Sequence, residues 1–117
     1  MRIFHVTTKA EWEAAAGSGS YRRSTRGASL DEVGFIHLSD ADQLPRVAAF
    51  LYRDDIEPLV VLELESDELL AAGGELRWEN GGHGEEFPHL YGAIETAWVL
   101  AVWPAGFDPG GRFSWPA

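Results

Sequence analysis

The chain has no cysteine among its 117 residues. That absence excludes disulfide scaffolds, thiolate nucleophiles and Cys-ligated zinc or iron-sulfur sites, and it fits a reducing compartment. No apolar run approaches the roughly 20 residues that a membrane-crossing helix needs. The opening Met1-Arg2-Ile3-Phe4-His5-Val6-Thr7 passes straight into charged residues, without the apolar core and small-residue cleavage site of a secretory signal. The expected location is therefore the cytoplasm, with no membrane partner. Basic residues are also few. Nine Lys plus Arg stand against nineteen Asp plus Glu, a formal charge of -10. Such a chain repels phosphate backbones instead of releasing their counterions, so nucleic acid is not an expected partner. Arg22, Arg23 and Arg26 are clustered against this trend, and they read either as a solvated loop or as a local holder of a small anion.

What is present is enough for one domain over 1–117. The chain is 45% hydrophobic and 12% aromatic, and at this length it buries roughly two-thirds of its unfolded surface without a staple. Ile3-Phe4-His5-Val6 reads as a first strand, followed by a capping box Thr8/Glu11 and a short helix through Trp12 to Ala16. The stretch from Tyr21 to Glu32 is polar and irregular. Gly34 to Ser39 predicts a second strand, closed by Asp40 as the N-cap of a helix between Ala41 and Tyr52. Leu59 to Leu64 is a buried strand, Ser66 to Leu70 a helical turn and Leu76 to Glu79 a short strand. Asn80 to Glu86 holds three glycines and reads as a loop, and Phe87 to Gly92 as an aromatic turn, because Pro88 withholds a backbone N-H. The run over 97–103 predicts a last strand ending at Pro104, and about 104–117 a tail draped over the surface, pinned by Phe113 or Trp115. This order implies an α+β fold, a bent antiparallel or mixed β-sheet with short helices packed on it.

With cysteine absent, the groups able to do acid-base or nucleophilic chemistry near neutral pH are chiefly the four histidines and nearby carboxylates. His5 with Thr7, and His37 with Ser39, are spaced by two in predicted strands, so each pair shares one face and presents an imidazole beside a hydroxyl. His89 sits between Pro88 and Tyr91 in a rigid segment, and the three histidines are expected to converge in one cleft. His83, surrounded by glycine, is read as exposed and without a role. Glu79 and Glu95 are alternative carboxylates for a base or for orienting a substrate hydroxyl. Phosphate-binding glycine loops, dinucleotide fingerprints, His-Glu-x-x-His helices and nucleophile elbows are missing.

The ordered set Ile3-Phe4-His5-Val6 and Trp12, Gly34-Phe35-Ile36-His37-Leu38-Ser39 with Gln43, Leu62-Glu63-Leu64, Arg77-Trp78-Glu79 and Phe87-Pro88-His89-Leu90-Tyr91-Gly92 resembles the DUF952 family of small bacterial proteins of unknown function. The resemblance extends over nearly the whole chain, to about Val102. It implies an ADP-ribosyltransferase-like fold, in which a first-strand His and a second-strand His or Tyr hold the nicotinamide end of NAD. By that implication His5 and Thr7 contact the nicotinamide ribose, and His37 and Ser39 line the nicotinamide or ribose pocket. Tyr21 or Tyr91 supplies an aromatic stack, and His37, Glu79 and His89 carry the catalysis of ADP-ribose transfer. The expected partner is thus a small molecule, with NAD as substrate and no metal. Two other functions stay open, a non-catalytic module for a small metabolite or peptide and a metal-dependent hydrolase using His5, His37 and His89.

Overall fold

The computed structural model describes residues 1–81 and 84–116. His83 lies outside them. Strand β1 (Arg2–Thr8) ends where Thr8 caps α1 (Lys9–Ser18), its hydroxyl accepting the Glu11 N-H at 3.2 Å. The Glu11 carboxylate does not return to close the box; it pairs with Arg23 Nε at 3.0 Å instead. α1 runs through Gly17 and stops at Gly19, where φ is 85°, a value that favours glycine.

Where the composition predicts an irregular stretch, the chain forms β2 (Ser20–Tyr21), β3 (Arg23–Thr25), β4 (Ala28–Ser29) and a single turn, α2 (Leu30–Val33). The start of α2 is a full capping box: Ser29 Oγ accepts the Glu32 N-H and the Glu32 carboxylate accepts the Ser29 N-H at 2.9 Å. Ser29→Ala is therefore expected to cost about 1 kcal/mol. A lower urea midpoint checks this, and an unchanged midpoint means that packing of Leu30 alone holds the turn.

Gly34 caps α2, so the second strand shrinks from the predicted 34–39 to β5 (Ile36–His37). α3 (Leu44–Tyr52) has Pro45 in its first turn. One turn earlier, Asp40 Oδ1 accepts the Gln43 N-H at 2.8 Å and Gln43 Oε1 accepts the Asp40 N-H at 3.0 Å. β6 (Leu59–Glu65), α4 (Ser66–Ala71) and β7 (Leu76–Asn80) lie where the apolar pattern puts them. The predicted aromatic turn is instead β8 (Glu86–Leu90), followed by β9 (Ile94–Glu95) and a 3-10 turn (Thr96–Trp98). The last long strand, β10 (Ala101–Phe107), passes through Pro104. Its outer neighbour, β11 (Phe113–Ser114), pairs only at Gly106 and Phe107, so Pro104 sits where β10 has a free edge.

Seven strands make a curled antiparallel sheet in two parts, β1-β6-β10-β11 and β5-β8-β7, and β2-β9 and β3-β4 form two further antiparallel pairs. A bridge joins the two parts of the sheet, with Phe4 and Ser39 exchanging both backbone hydrogen bonds at 2.8 Å. Pro88 explains the switch. In an antiparallel ladder a residue's N-H and C=O project to the same side. The Pro88 carbonyl accepts from Leu38 at 3.0 Å, so its missing N-H faces β5 as well. The β5–β8 ladder therefore ends after the His37–His89 pair, and the chain is released to reach β1.

β1 and β6 are buried on both faces. Ile3, Leu62 and Leu64 join Ile36, Leu38, Leu90 and Ile94 in one core, while Phe4, Val6 and Val61 pack on Leu44, Ala48 and Tyr52 of α3 in another. Phe113 and Trp115 pack against this second core, Trp115 edge-on to Phe4 with ring centroids 5.0 Å apart. Among the described residues no helix is long and apolar enough to cross a membrane. Each of the three clustered arginines has a carboxylate partner: Arg22 on Asp31, Arg23 on Glu11 and Arg26 on Asp55. The anion-holder reading of that cluster is corrected accordingly, because its charges are already neutralised.

Candidate functional site

Register and the two-residue period sort the residues of the three-stranded sheet. Ile36, Leu38, Leu76 and Leu90 turn to the first core, while Phe35, His37, Phe87, His89, Tyr91, Arg77 and Glu79 share the opposite face. The rings on that face meet. Phe35 stacks on His89 with centroids 4.0 Å apart and planes 18° from parallel, and His37 is 5.0 Å from Phe87 and 5.4 Å from His89.

Between this face and α3 opens a cleft of about 580 Å³. Its floor is Phe35, His37 and Phe87; Val33, Val47, Phe50 and Leu51 make an apolar wall, the buried Ser24 also lines it, and Thr25, Arg46 and Gly81 complete the rim. Phe50 is 88% exposed and, with the exposed Val33, leaves the apolar wall open to solvent. Burial, and then the neighbouring His89, push the His37 imidazole down to about 4, so it is neutral at physiological pH. Arg46 is held by both oxygens of Glu85 at 3.0 Å.

Behind the cleft lies a sealed polar network. His5 is 4% exposed, and Thr7, Tyr21 and Ser39 are also buried. His5 Nδ1 lies 2.7 Å from the His37 carbonyl and Nε2 lies 2.7 Å from the Tyr21 hydroxyl. A carbonyl only accepts, so Nδ1 carries the proton and Nε2 takes the Tyr21 O-H. Burial lowers His5 to about 4 and raises Tyr21, and both effects keep the pair neutral. Thr7 makes a hydrogen bond to Tyr21. The sequence-predicted pocket residues thus divide: His37 borders the open cleft, whereas His5, Thr7 and Tyr21 do not line it.

On the far side of Phe35, Glu79 Oε1 accepts from the Tyr91 hydroxyl and from His89 Nδ1, the latter at 2.9 Å. These two hydrogen bonds, Tyr91 first, hold the Glu79 carboxyl below its ordinary value and raise the Tyr91 phenol. Arg77 lies over the Tyr91 ring at 4.4 Å. His89 is 5% exposed, and neither it nor Glu79 lines the cleft. Glu95 is exposed on β9, away from these groups. Both His5 nitrogens are engaged, and no three His, Asp or Glu side chains among the described residues are grouped to hold a metal ion.

Comparison with known proteins identifies the lineage. The model of a protein family of unknown function, DUF952, matches residues 6–102. The chain belongs to the DUF952 family. Its fold is similar to the crystal structure of protein CC0527 from Caulobacter crescentus, 32% identical, with a TM-score of 0.81 over 97% of this chain and 94% of that one. The solution NMR structure of CC0527 is similar at a TM-score of 0.76 and 32% identity, over 95% of this chain and 90% of that one. No curated protein matches the chain.

In this DUF952 protein, the expectation that His5, His37 and His89 converge in one cleft is corrected: His37 and His89 share a face with Glu79, His5 lies in the sealed network behind it, and of the three histidines His37 alone lines the cleft. Sequence reasoning also misses the residues that close the cleft. Val47 and Leu51 belong to the apolar stripe of α3 with Leu44, Ala48 and Tyr52, whereas Phe50 falls outside it, and a phenyl ring off the stripe of an amphipathic helix was the available signal. Ser24, in the stretch taken as irregular, carries no sequence signal of this kind.

Proposed function

We propose that this DUF952 protein binds a small metabolite by a planar ring inserted in the cleft, and that the nicotinamide end of NAD or a related nucleotide is the class it takes. The observation that carries the reading is the floor. Phe35, His37 and Phe87 gather three rings under an apolar wall in about 580 Å³, within the range typical of small-molecule sites. A neutral imidazole adds one donor and one acceptor without charge.

Charge directs affinity to the ring and away from phosphate. Arg46 is already neutralised by Glu85, and the chain carries a formal -10. The ADP-ribosyltransferase-like fold that the family resemblance implies is compatible with the same choice of ligand end. Transfer of ADP-ribose would need a carboxylate beside the anomeric carbon, and Glu79 is committed to His89 and Tyr91 outside the cleft lining. Binding without transfer is the reading that the geometry favours.

Thermal-shift and NMR titrations with nicotinamide, NAD and ADP-ribose test it. Nicotinamide and NAD are expected to bind and ADP-ribose to bind weakly or not at all. His37→Ala should lose about tenfold in affinity, about 1.4 kcal/mol, while its unfolding free energy changes by no more than about 3 kcal/mol. Binding of ADP-ribose alone, or of none of the three, overturns the proposal.

A further inference from the structure

β3 and β4 pair at Arg23–Ser29 and at Thr25–Ala28, with a shift of register between them. Ser24 is therefore the extra residue of a β-bulge, the device by which a strand re-aims one side chain. The result is costly on its own terms. Ser24 is 1% exposed, and its Oγ has no hydrogen-bond partner among the described residues. Arg23 Nε next to it also lacks a well-aligned hydrogen bond, but it sits 3.0 Å from Glu11 Oε2 in an ion pair. Nothing comparable compensates the serine. Buried hydroxyls are almost always paired, so an orphan calls for a reason.

Its position supplies one. Ser24 lines the cleft together with Thr25 and His37, facing a wall made of Val47, Phe50 and Leu51. The polar side of the cleft is thus a narrow strip of hydroxyls and one imidazole, and the remaining side chains of the lining are apolar except Arg46. A ring with no polar substituent would leave that strip unsatisfied, and an anionic substituent would meet no free cation among the described residues of the lining, since Arg46 is held by Glu85. A neutral group that both donates and accepts, such as a carboxamide, matches it. With no existing bond to give up, the Ser24 hydroxyl can turn between staggered positions to meet such a group.

We propose that Ser24 is the specificity-determining contact of the cleft, selecting a planar ring that carries a neutral hydrogen-bonding substituent. This rests on the reading of the cleft as a ring-binding site. It makes Ser24 a residue kept at the expense of stability.

The experiment is a comparison of nicotinamide with pyridine, the same ring without the carboxamide, on the wild type and on Ser24→Ala. Nicotinamide is expected to bind Ser24→Ala about tenfold more weakly than the wild type. Pyridine should bind both proteins equally, and the ligand-free Tm of Ser24→Ala should be equal to or above that of the wild type. Nicotinamide binding that survives Ser24→Ala overturns the role of Ser24 and leaves the ring-binding reading standing. A ligand-free Tm lowered by several degrees also overturns it, because it shows the hydroxyl bonded within the fold. Failure of both rings to bind the wild type overturns the role of Ser24 and the ring-binding reading together.

Discussion

Lowering the pH from 6.5 to 4 is expected to remove about 3 kcal/mol of folding stability through His5 alone, a loss that His5→Gln abolishes. The sign follows from proton counting. An unfolded His5 takes up a proton near pH 6.5, whereas burial lowers the folded value to about 4. Between those values the unfolded state binds more protons, so stability falls as the pH falls, and below about 4 the contribution levels off. The cause is specific to the site: the ring has a carbonyl on one nitrogen and a phenol on the other, with no carboxylate to receive a charge. Gln keeps a donor and an acceptor but does not titrate. Other groups titrate in the same window, including His37 and the many carboxylates, but they are common to both proteins and cancel in the difference. Urea unfolding of wild type and His5→Gln at several pH values between 7 and 4 checks this. Parallel pH profiles would show that water reaches the His5 ring.

The same strand shows how far a sequence carries such an argument. The two-residue spacing of His5 and Thr7 places them on one face, and β1 realises that face against Val60 and Leu62 of β6. The spacing does not say that both faces of β1 are buried, and so it does not distinguish a pocket wall from a core network. That difference depends on what covers the His5 face itself, the Tyr21 hydroxyl of β2 and the His37 carbonyl of β5, a tertiary fact with no local signature. The Pro88 segment fails for the opposite reason. A proline is a strong local signal against a strand, but the missing Pro88 N-H faces β5 and ends that ladder alone, while pairing with β7 continues through Trp78. The capping box at Ser29 and Glu32 was legible by spacing alone, and a polar composition hid it. His89 and Glu79 were legible as residue types, and only the register of β7 on β8 sets them 2.9 Å apart. The cleft was the least legible feature, because its walls come from β3, α2, α3, β5 and β8, segments that are far apart in the chain.

Phe87→Ala should be among the costliest single changes at the cleft, about 3–5 kcal/mol for truncating a buried phenylalanine. The ring is 9% exposed, touches His37, and forms part of the cleft floor. It also fills the space over Gly81, where a Cβ would come within 2.4 Å of Phe87 Cδ2. Gly81→Ala in the wild type must therefore push a packed ring, not the loose end of a flexible chain, at an expected cost of about 1–3 kcal/mol. The two changes are opposite in kind, one emptying a volume and the other overfilling it. In the Phe87→Ala background the added methyl has room, so the penalty of Gly81→Ala should disappear. The double mutant should then be no less stable than Phe87→Ala, a coupling of about 1–3 kcal/mol. Urea denaturation of the four proteins measures that coupling directly. Strictly additive costs would mean that Gly81 and Phe87 do not meet in solution, and the cleft would then lack the ring that forms its floor beneath the Gly81 rim.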